Sequence, residues 1–178
     1  MEPSIEMLKI AKQYSDRIIS LNMSASEFIR NEYSTKNNVF LFKEVIHHIS
    51  NLDSFFKQLK LLIADGRRAL IITRPTMKGF PFFEDALNIL NFEAENFINK
   101  LKLIIVNSGL NVSINSEIFI HKMNKEIFID MVRRRVWSTL HKFNDVQIQT
   151  GIQEIQKKHL EESIFKIPDY FLFINLSK

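Results

Sequence analysis

Two short, unbroken apolar runs constrain this chain more than any other feature. One is Asn38-Val39-Phe40-Leu41-Phe42; the other is Ala69-Leu70-Ile71-Ile72 within 68–73. Both have strand length. Consecutive apolar residues read as strands buried on both faces, the pattern of a parallel sheet. Between them Phe56, Leu59, Leu62 and Ile63 fall at helical spacing, with Asp53 as cap and Asp65-Gly66 as the stop. A helix joining two such strands is the crossover that parallel pairing requires.

The alternation continues along the chain. Ser4 caps a predicted helix over 5–14, with Ile5, Leu8 and Ala11 on one face; 17–23 is a strand, and Ser26 caps a short helix over 26–31. Arg74-Pro75 ends the strand at 68–73, because proline cannot continue a ladder. The segment 76–91 is mixed, with aromatics at Phe80, Phe82 and Phe83. A helix over 94–106 closes at Ser108-Gly109, and 111–121 alternates as a strand that extends to a sheet edge. Helices over 125–140 and, capped by Asn144, over 144–159 precede a final strand at 170–175. This order predicts an α/β layered fold with a largely parallel sheet.

Composition removes some function classes. There is no cysteine, so disulfide frameworks and cysteine-ligated metal sites are excluded. The net charge of +4 is spread evenly, with 12 basic and 10 acidic side chains in each of 1–91 and 92–178. A nucleic-acid binder more often concentrates its charge in a patch. No apolar run reaches the ~18–20 residues that span a bilayer. The expectation is a soluble, cytoplasmic, single-domain protein over 1–178.

Four stretches, taken in order, carry a resemblance. Glu2-Pro3-Ser4 followed by Met7-Leu8 reads as a strand end running into a helix. Residues 38–42 lead into Lys43-Glu44-Val45-Ile46-His47-His48-Ile49. The third stretch is 55–75, with Gly66-Arg67 before its strand, and the fourth is Asn107-Ser108-Gly109-Leu110-Asn111-Val112. Together they resemble class I S-adenosylmethionine-dependent methyltransferases of the small-molecule kind. The resemblance implies a Rossmann-like sheet that is incomplete. Only Met1 precedes Glu2, whereas the family's G-x-G-x-G loop stands about 20 positions before the equivalent acid. On this expectation the first strand and the glycine loop are missing, the chain is N-terminally truncated, and the helices at 125–159 are a substrate-side insertion before the last strand.

The same resemblance assigns the site. Glu2 accepts the cofactor's ribose hydroxyls, and Ser24 and Ala25 stand where the family contacts adenine. Lys43 lies beside the methionine moiety. Glu44 and His47 are the candidate bases if the acceptor must lose a proton; packing of one histidine and solvation of the other is the plainer reading. Phe80, Phe82, Phe83, Phe128 and Met131 either line an acceptor pocket or belong to the core. Within Arg133-Arg134-Arg135, Arg133 or Arg135 reaches an anionic substrate or the triplet is a solvated helix face with Trp137 packed inward. Asp85 and Asp130 read as solvated, and no metal site is expected.

The leading reading is a methyltransferase that moves a methyl group from S-adenosyl-L-methionine to a small molecule, inactive if the truncation removes the cofactor site. The alternative is a non-catalytic methyltransferase-like interaction protein that self-associates through an exposed sheet edge. A nucleic-acid module rests only on charge and the arginine triplet.

Overall fold

The computed structural model describes residues 1–14, 19–31 and 39–178. Among these residues ten α-helices and β-strands follow in order: α1 (Ile5–Tyr14), α2 (Ala25–Phe28), β1 (Val39–Lys43), α3 (Leu52–Ala64), β2 (Arg68–Thr73), α4 (Glu84–Ser108), β3 (Asn111–Asn124), α5 (Lys125–Arg133), α6 (Asp145–Lys158) and β4 (Ile164–Ser177), with 3-10 turns at Ile46–His48 and Ser138–Lys142. The strands form one sheet in the order β1-β2-β4-β3. β1 and β2 are parallel, with Val39 opposite Arg68 and Lys43 opposite Ile72. This is the Rossmann-like α/β arrangement the sequence implies, with α5 and α6 preceding the last strand.

The chain divides into two compact units. The first comprises Met1–Ile72, Leu101–Ile114 and Ile174–Lys178; the second comprises Thr73–Lys100 and Asn115–Phe173.

In the first unit α3 is capped by Asn51, whose side chain accepts from the Ser54 N–H at 2.9 Å, and Asp53 occupies the first turn instead of the predicted cap. Its buried face is Leu52, Phe55, Phe56, Leu59, Leu62 and Ile63. That face packs on the sheet: the Phe42 and Phe55 rings meet edge to face at 5.3 Å. Burial at β1 alternates, against the expectation of two covered faces. Phe40 and Phe42 are buried, while Val39 and Leu41 are 64% and 57% exposed. A strand is covered twice only where elements pack on both sides, and α1 contributes no buried residue. Its predicted face is correspondingly open, with Ile5 54% exposed and Leu8 half-buried. The predicted strand 17–23 falls partly on 15–18, outside the described residues; 19–23 form no strand.

The second unit has its own core, built from Phe82, Phe83, Ala86, Phe128, Ile129, Val132, Leu140, Ile148, Ile152 and Phe165, among others. α6 begins at the predicted cap, Asn144, which forms a capping box with Gln147. Gly151 lets α6 approach Phe83: a Cβ there would lie 2.4 Å from the ring. α5 is shorter than predicted because Arg135 takes a φ of 52° just beyond its end.

Glu93, on α4, accepts from the Thr139 hydroxyl at 2.7 Å and pairs with Lys142. Burial opposes its ionisation, but the Lys142 and Thr139 hydrogen bonds and the Lys142 charge outweigh that and hold the carboxyl below its ordinary value. A depressed folded-state pKa stabilises above the unfolded value and is lost as pH falls through the folded one. Glu93→Gln is therefore expected to flatten the decline of stability below about pH 4.5, since unfolded glutamate titrates near there. At neutral pH the cost is about 0.2–1 kcal/mol, as for other exposed pairs. Denaturant melts at neutral and acidic pH check this; an acid limb as steep as the parent's would refute it.

Candidate functional site

The C-terminal end of β1 is where an open α/β sheet presents ligand-binding groups. Here the chain leaves the strand abruptly. Glu44 has a φ of 52°, and its N–H donates to the Ile72 carbonyl at 2.8 Å. A left-handed backbone in a residue with a side chain costs roughly 1–2 kcal/mol and persists only where its surroundings hold it. Here β2 holds one side through that hydrogen bond. A 3-10 turn, Ile46–His48, holds the other by burying Ile46 completely. The result is an exposed Lys43, a half-buried Glu44 and two exposed histidines whose rings lie 4.1 Å apart.

The N-terminal segment forms a second part of the first unit. The Glu2 N–H donates to the Leu21 carbonyl at 3.1 Å, and Asn22 Nδ2 donates to the Pro3 carbonyl at 2.8 Å. The Glu2 carboxylate is half-buried and accepts the Ser4 N–H through Oε1 at 2.9 Å. A carboxylate has about four acceptor positions, so it retains capacity for two hydroxyls. Ser24, not Ser26, is the helix cap. Its hydroxyl accepts from the Glu27 N–H at 3.2 Å, and Glu27 returns the bond to the Ser24 N–H at 2.7 Å. Hydrogen bonds from the Ser24 backbone and side chain hold Glu27 below the ordinary carboxylate value. The Ser24 hydroxyl is thus engaged with Glu27 at the start of α2, and Ala25 opens that helix.

The half-buried Glu2 carboxylate is an acceptor of the kind that vicinal hydroxyls require. Backbone that cradles a ligand by close approach needs glycine, and the four glycines serve elsewhere. Gly66 and Gly109 follow helices at positive φ, Gly79 sits against Pro168, and Gly151 sits against Phe83.

In the second unit the aromatic candidates separate. Phe82, Phe83 and Phe128 are core residues, whereas Phe80 is half-buried and stacks on Phe82 at 6.0 Å. Met131 is half-buried. The arginines diverge: Arg133 and Arg134 both pair with Asp130, at 3.7 and 2.8 Å, and Arg135 pairs with Asp145 at 2.6 Å. Asp130 is thus an ion-pair partner and not merely solvated; Asp85 is exposed. Sequence reading passed over Arg74, His121 and Asp169, which the second unit brings together. The signal was an acid inside the last apolar segment, Ile167-Pro168-Asp169-Tyr170-Phe171, since a buried carboxylate needs a partner.

No group of three or more metal-ligating side chains occurs among the described residues. No helix among them is long and apolar enough to cross a membrane.

The sequence matches no protein-family model and no curated protein. Solved structures do match. A chain from Anabaena variabilis ATCC 29413, described as a methyltransferase from an antibiotic biosynthesis pathway, is 16% identical with a TM-score of 0.63, over 97% of this chain and 78% of that one. The YcgJ protein of Bacillus subtilis is 9% identical with a TM-score of 0.58, over 99% and 80%. A chain from Bacillus halodurans C-125, described as a methyltransferase, is 10% identical with a TM-score of 0.52, over 97% and 79%. The fold is that of the class I methyltransferases.

Proposed function

We propose that this chain is a methyltransferase of class I type that binds S-adenosylmethionine and acts on a small molecule. The observation that carries this is the Lys43–His48 turn at the end of β1, with Glu44 held at a φ of 52° on a class I methyltransferase fold. Strain of this kind, maintained by a hydrogen bond and a buried anchor, is a mark of functional turns. Glu2 would hold the ribose hydroxyls, with Ser24 and Ala25 toward the adenine and Lys43 toward the methionine carboxylate. When bound, the cofactor supplies an electrophilic methyl group. Glu44 or His47 would take a proton from the acceptor, and positioning would contribute most of the rate.

The test is calorimetric titration of the chain with S-adenosylmethionine and S-adenosylhomocysteine. Saturable micromolar binding is the expected result. Glu2→Gln should weaken it about 10–100-fold, since hydrogen bonds to a charged group contribute about 1.5–3 kcal/mol. A cooperatively folded chain that binds neither compound overturns the reading and favours the interaction protein, whose apolar surface would include Val39 and Leu41.

A further inference from the structure

β3 is an edge strand. In the sheet order β1-β2-β4-β3 only β4 flanks it among the described residues, so its outer row of backbone N–H and C=O groups faces away from the sheet. Natural edges are often protected by shortness, by proline or by a covering element. β3 has none of these among the described residues: it runs 14 residues without proline, and from Asn115 to Lys122 every one is exposed. At the centre of that stretch Ile118, Phe119 and Ile120 are 55%, 46% and 59% exposed. Side chains alternate along a strand, so Ile118 and Ile120 share one face and Glu117, Phe119 and His121 share the other. On that second face the Phe119 ring meets Phe171 of β4 edge to face at 5.8 Å.

We propose that this edge is occupied by a second copy of the chain, the two β3 strands pairing antiparallel about a two-fold axis at Phe119. An axis normal to the sheet sets residues equidistant from Phe119 opposite one another on the same face. Phe119 then stands opposite its own copy and extends the contact with Phe171 into a row of four rings. Ile118 of each copy stands opposite Ile120 of the other, and Glu117 opposite His121, an acid against a base. Apolarity and charge are thus matched at all five central positions. Neighbouring registers lose this match. An axis through Ile118 or Ile120 sets Phe119 against Glu117 or His121, and one through Glu117 or His121 sets like groups together. An axis through Ser116 pairs isoleucines but sets Phe119 against Ser113 and parts Glu117 from His121. A two-fold pair uses the edge once, so the assembly closes at two copies. The pairing is independent of methyl transfer.

Sedimentation equilibrium of the full chain reads the stoichiometry, and a dimer with a micromolar dissociation constant is expected. Ile118→Lys places an ammonium opposite Ile120 on both sides of the axis and should weaken the dimer about 10–100-fold. Ile118 is more than half exposed, so this variant keeps its fold. Mixing Ile118→Lys with Ile120→Glu should restore association as a heterodimer, because the two introduced charges stand opposite each other. The chain has no cysteine, so single-cysteine variants report the register. Opposed Cα atoms lie about 4.5–5.5 Å apart, within the about 4.4–6.8 Å that a disulfide spans. Phe119→Cys should therefore give a disulfide-linked dimer on mild oxidation. Ser116→Cys, whose two copies lie roughly 20 Å apart in this register, should not. A parent still monomeric at about 100 μM overturns the proposal and leaves the edge to a strand of a different protein. So does an association that Ile118→Lys leaves unchanged, or cross-linking at Ser116→Cys as fast as at Phe119→Cys.

Discussion

Replacing Arg74 by methionine is expected to lower the unfolding free energy by about 3–5 kcal/mol, the range for removing one partner of a buried ion pair. The cause is what remains. Both Asp169 oxygens bond to the Arg74 guanidinium, and the carboxylate side chain is 2% exposed. Without Arg74 that charge keeps only His121, 3.3 Å from Oδ2. Arg74 is itself 30% exposed, so water can enter the vacated space and the loss should fall toward ~3 kcal/mol. Arg74→Lys should recover only part, because an ammonium cannot reproduce the planar two-pronged contact. The double variant Arg74→Met, Asp169→Leu should be more stable than Arg74→Met alone, since it removes the orphaned charge. Denaturant unfolding of the four proteins measures this. A loss below about 1 kcal/mol for Arg74→Met would mean the pair behaves as a surface salt bridge.

The Arg74–Asp169 pair also shows where sequence reading stops. The apolar runs at β1 and β2 with α3 between them fix an α/β fold, since length, periodicity and stop signals all lie within about forty residues. Asn144 as a cap was equally legible, because a capping box is local. The apolar run predicts only 170–175 as strand, shorter than β4. Pro168 and Asp169 break the apolar run, and what accommodates them is remote: Pro168 lies against Gly79, and Asp169 binds Arg74 across 95 residues. α4 begins well before the predicted 94–106 helix for a similar reason. Asn88 and Asn91 blur its periodicity, yet Ala86 is fully buried in the second core, and the Asn91 side chain accepts from Thr76 and the Met77 N–H. The predicted helix 125–140 outruns α5 because Val136 and Trp137 continue a helical pattern that Arg135, at positive φ, interrupts. At the site, the residue types at the end of β1 were readable from family likeness. The φ of Glu44 was not, because a left-handed conformation is expected at glycine or asparagine.

Phe128→Ala is expected to cost about 3–5 kcal/mol, the range for deleting a fully buried aromatic ring. The sequence leaves Phe128 between a core position and a wall of an acceptor pocket, and these make opposite predictions. A pocket residue faces removable solvent or ligand, so truncating it would spare stability and alter affinity. Phe128 has no exposed surface. Its ring packs against Phe82 at 5.2 Å, Trp137 at 5.4 Å and Phe165 at 5.5 Å. Such ring pairs contribute about 0.5–1.5 kcal/mol each beyond the area they bury. The cavity left by alanine would collapse poorly, because its walls are rigid rings anchored on three other segments. Phe128→Leu, which keeps most of the volume, should cost under about 1.5 kcal/mol. Ile127→Ala, on the exposed side of α5 at 58% accessibility, should stay within about 0.5 kcal/mol of the parent. If Phe128→Ala unfolds at the parent's denaturant midpoint while Phe128→Leu and Ile127→Ala do the same, the ring is a pocket wall and the core of the second unit lies elsewhere.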